Sequence, residues 1–354
     1  MAKVAFSGLA VAVGVQGAFG TPNATIAGLD HTGSPDLSDG HVRGDAESGD
    51  SESGITVPNL VGVYRPAAQV AASWTESPDE FEKVLAEGFS FSWIMQGNGD
   101  TPAPAVGDAD LSVIMPGIEA ILECAGLTGA AGGSGVEQDY TPRASAIFTT
   151  WKLWHGTLAF VFSDCLVDSL IFTPAVGGKC LVTANVSVGT FDHTTAVTGF
   201  TFPTIDYEEM ASLAGPTVEG VAHTAFGQVR GFENLAVTIE NPVERFLDSN
   251  VDVTGEFLAQ NKRIISVTGR IYVDSGDDDA AFIELKNLNA PTDDLSFQVG
   301  TPGATPINAF KIEVNNLQPK DIKYGETGDF LIVELGDSKA TSTTAGTEFQ
   351  LTMN

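Results

Sequence analysis

The sequence predicts a mainly β protein, an antiparallel β-sandwich or barrel with two or three short helices and extended loops or arms. Three observations carry this reading. Charged residues are only 18% of the 354 positions while glycine numbers 39, a balance that starves long amphipathic helices and suits strands and turns. Apolar runs of strand length recur along the chain, separated by Gly, Pro and Asp turns. Phenylalanine, at 21, far outnumbers tyrosine, at 5, as buried sheet faces favour. A hydrophobic content of 43% rules out disorder throughout and is enough for a real core.

The expected organisation is an N-terminal strand and acidic extended arm over residues 1–58, then one sandwich over 59–354 with an insertion near 200–230. The opening run 2–15 superficially resembles a signal peptide, but it has a single Lys3 and is interrupted by Gly8 and Gly14, which favours a strand or arm. Residues 20–56 are rich in Asp, Ser, Gly and Glu and poor in apolar anchors, so they read as an arm or long loop. A strand follows over 55–64.

Ser77 as N-cap, Pro78 at the first helical position and Asp79 and Glu80 after it predict a short helix over 77–87, ended by Gly88. Residues 89–95 alternate apolar with small polar side chains, the pattern of a half-buried strand, and 97–110 form a Gly, Pro, Ala and Asp loop. A second helix is expected over 115–127, with Ile118, Ile121, Leu122 and Ala125 on one stripe and Gly126 as its cap. The Gly-Ala tract up to Gly135 reads as a flexible connector.

Strands are then expected over 147–154, 158–162, 165–172 and 179–188, and in the second half over 232–240, 251–253, 263–273, 295–299, 309–314, 330–335 and 348–353. Asp277, Asp278 and Asp279 ahead of an apolar segment ending in Lys286 predict a third helix.

Charge narrows the function. With 46 acidic against 17 basic residues, the formal net of −29 repels phosphate backbones and argues against ordinary nucleic-acid binding. It leaves room for a protein past which DNA slides without sticking, and it also serves solubility. Cys124, Cys165 and Cys180 include no CxxC pair. A hairpin turning at 173–178 puts Cys165 near Val186 rather than opposite Cys180, so all three read as small buried hydrophobes in a reducing cytoplasm.

Catalytic signatures are missing. His31, His41, His155, His193 and His223 form no metal-ligand spacing. The run 274–279 has clustered carboxylates but no EF-hand spacing, and a helix start explains it more simply. Gly177-Gly178-Lys179 sits at a hairpin turn with Cys180 where a P-loop needs Ser or Thr, and no GxSxG occurs. The expectation is no enzyme, no cofactor and no metal.

The order of segments carries a resemblance. An aromatic strand over 89–95 leads through a Gly/Ala/Pro loop to a short helix ending in Ala125-Gly126-Leu127. Tyr140-Thr141-Pro142 follows, then a strand reaching His155-Gly156, and a strand pair turning at Gly177-Gly178 and closing at Val188-Gly189. Downstream come Leu235 to Glu240 with the polar turn Asn241-Pro242, the strand from Arg263 to Ile271, and the closing strand from Glu348 to Met353. Over roughly residues 60–354 this resembles the major tail-tube proteins of long-tailed bacteriophages; the acidic arm at 20–56 departs from the pattern.

The resemblance implies a structural virion protein assembled in the host cytoplasm. Its copies would form stacked, hexameric rings through which viral DNA passes during ejection without specific binding. Other tail proteins, such as tape measure, terminator and baseplate or tip, would be partners, and no membrane would be. Asp36, Asp45, Glu47, Trp93, Met95, Asp108 and Asp110 are the expected inter-subunit contacts, with 20–56 and 97–112 ordering on ring stacking and a negatively charged lumen. The alternative is a secreted or surface β-sandwich binding module.

Overall fold

A computed structural model describes residues 9–22, 54–55, 60–65, 80–86, 88–95, 116–131, 138–144, 147–155, 158–174, 180–194, 224–225, 228–229, 231–247, 256–260, 262–273, 293–299, 310–318, 321–341 and 346–353. The first strands are β1 (Leu9–Val15), β2 (Gly54–Ile55), β3 (Leu60–Arg65), β4 (Glu80–Ala86) and β5 (Phe89–Ile94), followed by the helix α1 (Pro116–Cys124). Next come β6 (Leu127–Ala131), β7 (Gln138–Pro142), β8 (Thr149–His155), β9 (Leu158–Pro174), β10 (Cys180–Ser187) and β11 (Thr190–Thr194). The second half holds β12 (Thr224–Ala225), β13 (Gln228–Val229), β14 (Phe232–Glu240), β15 (Val243–Leu247), β16 (Glu256–Gln260) and β17 (Ile264–Tyr272). It ends with β18 (Asp293–Val299), β19 (Phe310–Gln318), β20 (Asp321–Thr327), β21 (Phe330–Ala340) and β22 (Phe349–Met353).

The fold is mainly β, as the composition predicts, and every pairing among the described residues is antiparallel. Eighteen strands join in one hydrogen-bonded network that has three parts. The first runs β2, β5, β10, the C-terminal half of β9, β14, β17, β21, β20. The second runs β6, β7, β22, β19, β18, β12, β13 and meets the first where the end of β19 pairs with β21. The third is β1, β8, the N-terminal half of β9 and β11. β3 with β4, and β15 with β16, form separate pairs.

Aromatic contacts show how the parts stack. Phe172 on β9 meets Phe349 on β22 with ring centroids 6.0 Å apart, which joins the first part to the second face to face. Phe89 on β5 lies 5.1 Å from Trp151 on β8 and 5.3 Å from Phe162 on β9, which joins the first to the third. Such faces carry most of the driving force, on the order of 2 kcal/mol for each fully buried Phe, Leu or Ile side chain.

The helix over 116–124 forms where the sequence predicts it. Pro116 opens it, where a missing N–H is harmless. Ala125 N and Gly126 N donate back to Ile121 O and Glu123 O, and Gly126 takes a left-handed φ of 79°, the geometry of a glycine cap. Ala120, Ile121, Leu122, Cys124 and Ala125 are all buried.

Three expectations need correction. Residues 80–86, expected to be helical, form strand β4 paired with β3; a cross-strand ladder overrides the local cap and proline signals. Gly88, at φ 105°, then turns the chain from β4 into β5. The connector after Gly126 begins as strand β6, paired through all five residues with β7. The runs 158–162 and 165–172 are one strand, β9, bent where Asp164 adopts φ 54°. The expected helix ending at Lys286, the strand over 251–253 and the loop 97–110 lie outside the described residues. β1 and β2, both before residue 58, hydrogen-bond into the sheets formed by the rest of the chain.

Candidate functional site

Two buried polar centres hold the parts together. At the first, Arg263 donates from Nη2 to the carbonyls of Gly126 and Arg143, each at 2.8 Å, and from Nε to Asn241 Oδ1 at 3.1 Å. Asn241 Nδ2 donates in turn to Ala125 O at 2.8 Å, and Glu348 Oε1 lies 4.0 Å from Arg263. One guanidinium thus gathers the end of α1, the exits of β7 and β14, and the start of β22. A cation beside free carbonyls at a helix C-terminus is also favoured by the helix dipole. Burial lowers the Arg263 pKa, and the charge of Glu348 opposes this.

The second centre is Asp164, which is 1% exposed. Its Oδ1 accepts from Gln16 Nε2 at 2.5 Å and from the backbone N–H of Gly20 at 2.6 Å. Thr190 Oγ1 lies 3.5 Å from Oδ2. Gln16 is equally committed: its Oε1 accepts from Thr150 Oγ1 at 3.1 Å and Asp164 N at 3.0 Å, and its Nε2 also donates to Ala18 O at 3.0 Å. Gly189 presses so closely that a Cβ there would stand 2.7 Å from the Asp164 Cβ. Both centres spend their polar atoms on the fold itself, not on a bound substrate.

The cysteines follow the same pattern. All three are buried thiols outside any disulfide. Burial pushes the Cys124 thiol up to about 12, with the hydrogen bond from Thr149 partly offsetting it, and raises Cys180 further for the same reason. Neutral thiols of this kind are poor nucleophiles. Among the described residues no group of three or more His, Cys, Asp or Glu is placed to hold a metal ion. No helix among them is long and apolar enough to cross a membrane.

What the structure leaves open is the hairpin β20–β21. Gly328 and Asp329 make a two-residue turn between the partners Thr327 and Phe330, and Gly328 takes the positive φ of 58° that such a turn requires. β21 is hydrogen-bonded on both sides, but β20 pairs with β21 alone among the described residues. The tip is apolar on both faces. Val333 and Leu335 are buried on one face, which runs out to Tyr324, 51% exposed, and Leu331, 46% exposed. On the other face Phe330 is 66% exposed and meets Tyr272 edge-on at 6.0 Å.

A row of alternating charge crosses the same sheet. Arg270 lies 3.7 Å from Glu233 on β14 and 3.2 Å from Glu334 on β21, with Lys323 of β20 opposite Glu334. These groups are well exposed and contribute little to stability. They mark the polar face of the sheet and set off the apolar tip beyond it.

No protein-family model matches the chain, and no curated protein matches it significantly.

Of the residues expected at subunit contacts, Trp93 and Met95 are each 1% exposed. Trp93 stacks on Phe91 at 5.5 Å, and its Nε1 has no hydrogen-bond partner among the described residues. Their side chains are spent inside the chain, which leaves no surface on them for a neighbouring copy. Asp36, Asp45, Glu47, Asp108 and Asp110 lie outside the described residues. Sequence reasoning passed over β20 altogether, because Asp321-Ile322-Lys323-Tyr324-Gly325-Glu326-Thr327 has no buried-face alternation. The available signal was Thr327-Gly328-Asp329-Phe330, a tight-turn sequence ahead of an apolar run.

Proposed function

We propose that the chain is a self-assembling structural protein, a tail-tube subunit of a tailed virus whose copies close into rings, six to a ring by the resemblance, and stack around a DNA passage. The observation that carries the self-assembly is the β20–β21 hairpin. Among the described residues β20 pairs with β21 alone, and the tip exposes Tyr324, Phe330 and Leu331. An unpaired edge beside exposed aromatics is an aggregation hazard in a monomer, and pairing around a closed ring removes it. The aromatic anchors are of the kind that dominate interfaces.

The net charge of −29 supports the passage role, since like charge on the wall keeps DNA from adhering. Screening confines that field to about 8 Å at physiological salt, so only groups at the wall act. The tail of the virion is the corresponding location, with tape measure, terminator and baseplate or tip proteins as further partners.

Sedimentation of the full chain over a range of concentrations tests the assembly. The reading expects large, discrete species to grow at the expense of monomer as concentration rises. One monomeric boundary throughout, at every salt concentration, would contradict it.

A further inference from the structure

Among the described residues β1 is an edge strand that pairs with β8 alone, in a seven-residue register from Leu9↔His155 to Val15↔Thr149. What fixes its C-terminal end is largely polar: Gln16 and Gly20 bind the buried carboxylate of Asp164, and Gln16 N donates to Phe148 O at 2.8 Å. Phe19 adds one edge-on contact to Phe148 at 5.3 Å. Val13 is buried in the core while Val15 is exposed, so of these two apolar side chains one anchors the strand.

We infer that β1 is an exchangeable strand, clipped in place through Asp164, and that the β8 edge it covers also takes β1 of a second copy. The inference builds on the assembly reading and names a partner surface for it. Three features support exchange. β8 places Trp151 and Leu153 in the core, so its edge must be covered by some strand. A second copy's β1 has the same sequence, so it makes the same ladder and reaches the same Asp164 carboxylate, leaving local concentration to decide which strand is bound. Finally, residues 23–53 lie between this segment and β2 in the sequence, and the contour of a chain of that length is about 100 Å, enough to span to the β8 of a neighbouring copy.

The test uses full chains carrying single cysteines at two positions opposed in the ladder, Ala12→Cys and Lys152→Cys. Opposed strand residues stand at disulfide distance. The double variant, at high dilution under oxidation, is expected to close an intramolecular bridge. Mixing the two folded single variants at high concentration is expected to give a disulfide-linked heterodimer, beyond what either yields alone.

Asp164→Leu and Gln16→Ala, each of which opens the clip, are expected to speed heterodimer formation about ten-fold, the equivalent of one buried hydrogen-bonded group lost. No heterodimer from the mixed chains while the double variant bridges fully would overturn exchange. Failure of the double variant to bridge would overturn the pairing on which exchange depends. Rings seen without heterodimer would sink exchange and leave assembly standing; heterodimer without rings would do the reverse.

Discussion

Arg263 shows how much of this fold can depend on one side chain. Three acceptors from three parts of the chain converge on it, and a hydrophobic replacement would strand them in a site with little water. Arg263→Ala is expected to destabilise the fold by about 2–4 kcal/mol, read from the urea midpoint. Arg263→Lys should recover only a minor part, because a point charge lacks the guanidinium fork. Gly88 is a second single-residue dependence. At φ 105°, an added Cβ would meet the Val186 carbonyl oxygen at 2.6 Å, so Gly88→Ala should cost about 2 kcal/mol or more.

The thiol of Cys124 makes a prediction about pH. Its folded pKa is raised by burial from an ordinary 9.0 to about 12. Between those values the unfolded chain loses the proton while the folded chain keeps it. The stability due to this group is therefore complete below about pH 9 and declines as pH rises towards 12. Urea titrations from pH 8 to 11 should show that decline, and Cys124→Ala should flatten part of it. Native protein at pH 8 should not react with a thiol reagent until it is unfolded.

At the scale of elements, the sequence was legible wherever a strand had one buried face. β14 was read to the residue, and β5, β10, β17 and β22 to within one or two. The glycine-capped helix over 116–124 was equally clear, because the apolar stripe and the cap agree. β4 was misread because its local cap and proline signals favour a helix and the competing ladder with β3 is invisible along the chain. β6, Leu-Thr-Gly-Ala-Ala, was mistaken for a connector because small residues give no periodic signal. The bend of β9 was mistaken for a chain break because Asp164 looks like a turn residue and is in fact a buried acceptor.

The hairpin belongs to this scale too. Tyr324→Lys with Phe330→Lys should leave the stability of the isolated subunit within about 0.5 kcal/mol, since exposed sites away from special features rarely matter more. The same pair should abolish the large species expected in sedimentation. A loss of folded stability equal to that of a core substitution would show the tip to be structural instead.

For the whole molecule, fold class followed from composition, while the assembly surface did not. Contacts between copies leave a mark only as surface that the fold fails to cover, and that becomes visible once the chain is folded. Trp93 illustrates the gap: the resemblance implies a subunit contact there, whereas the strand periodicity of β5 sends it inward. Tyr324 and Phe330, in a segment with little pattern, are the aromatics left exposed among the described residues.

Electron microscopy of the concentrated full-length protein, beside the Tyr324→Lys, Phe330→Lys variant, tests this most directly. The account predicts hollow rings or tubes of uniform diameter from the native chain and single subunits from the variant. Dispersed single subunits from the native chain, or identical tubes from both, would contradict it.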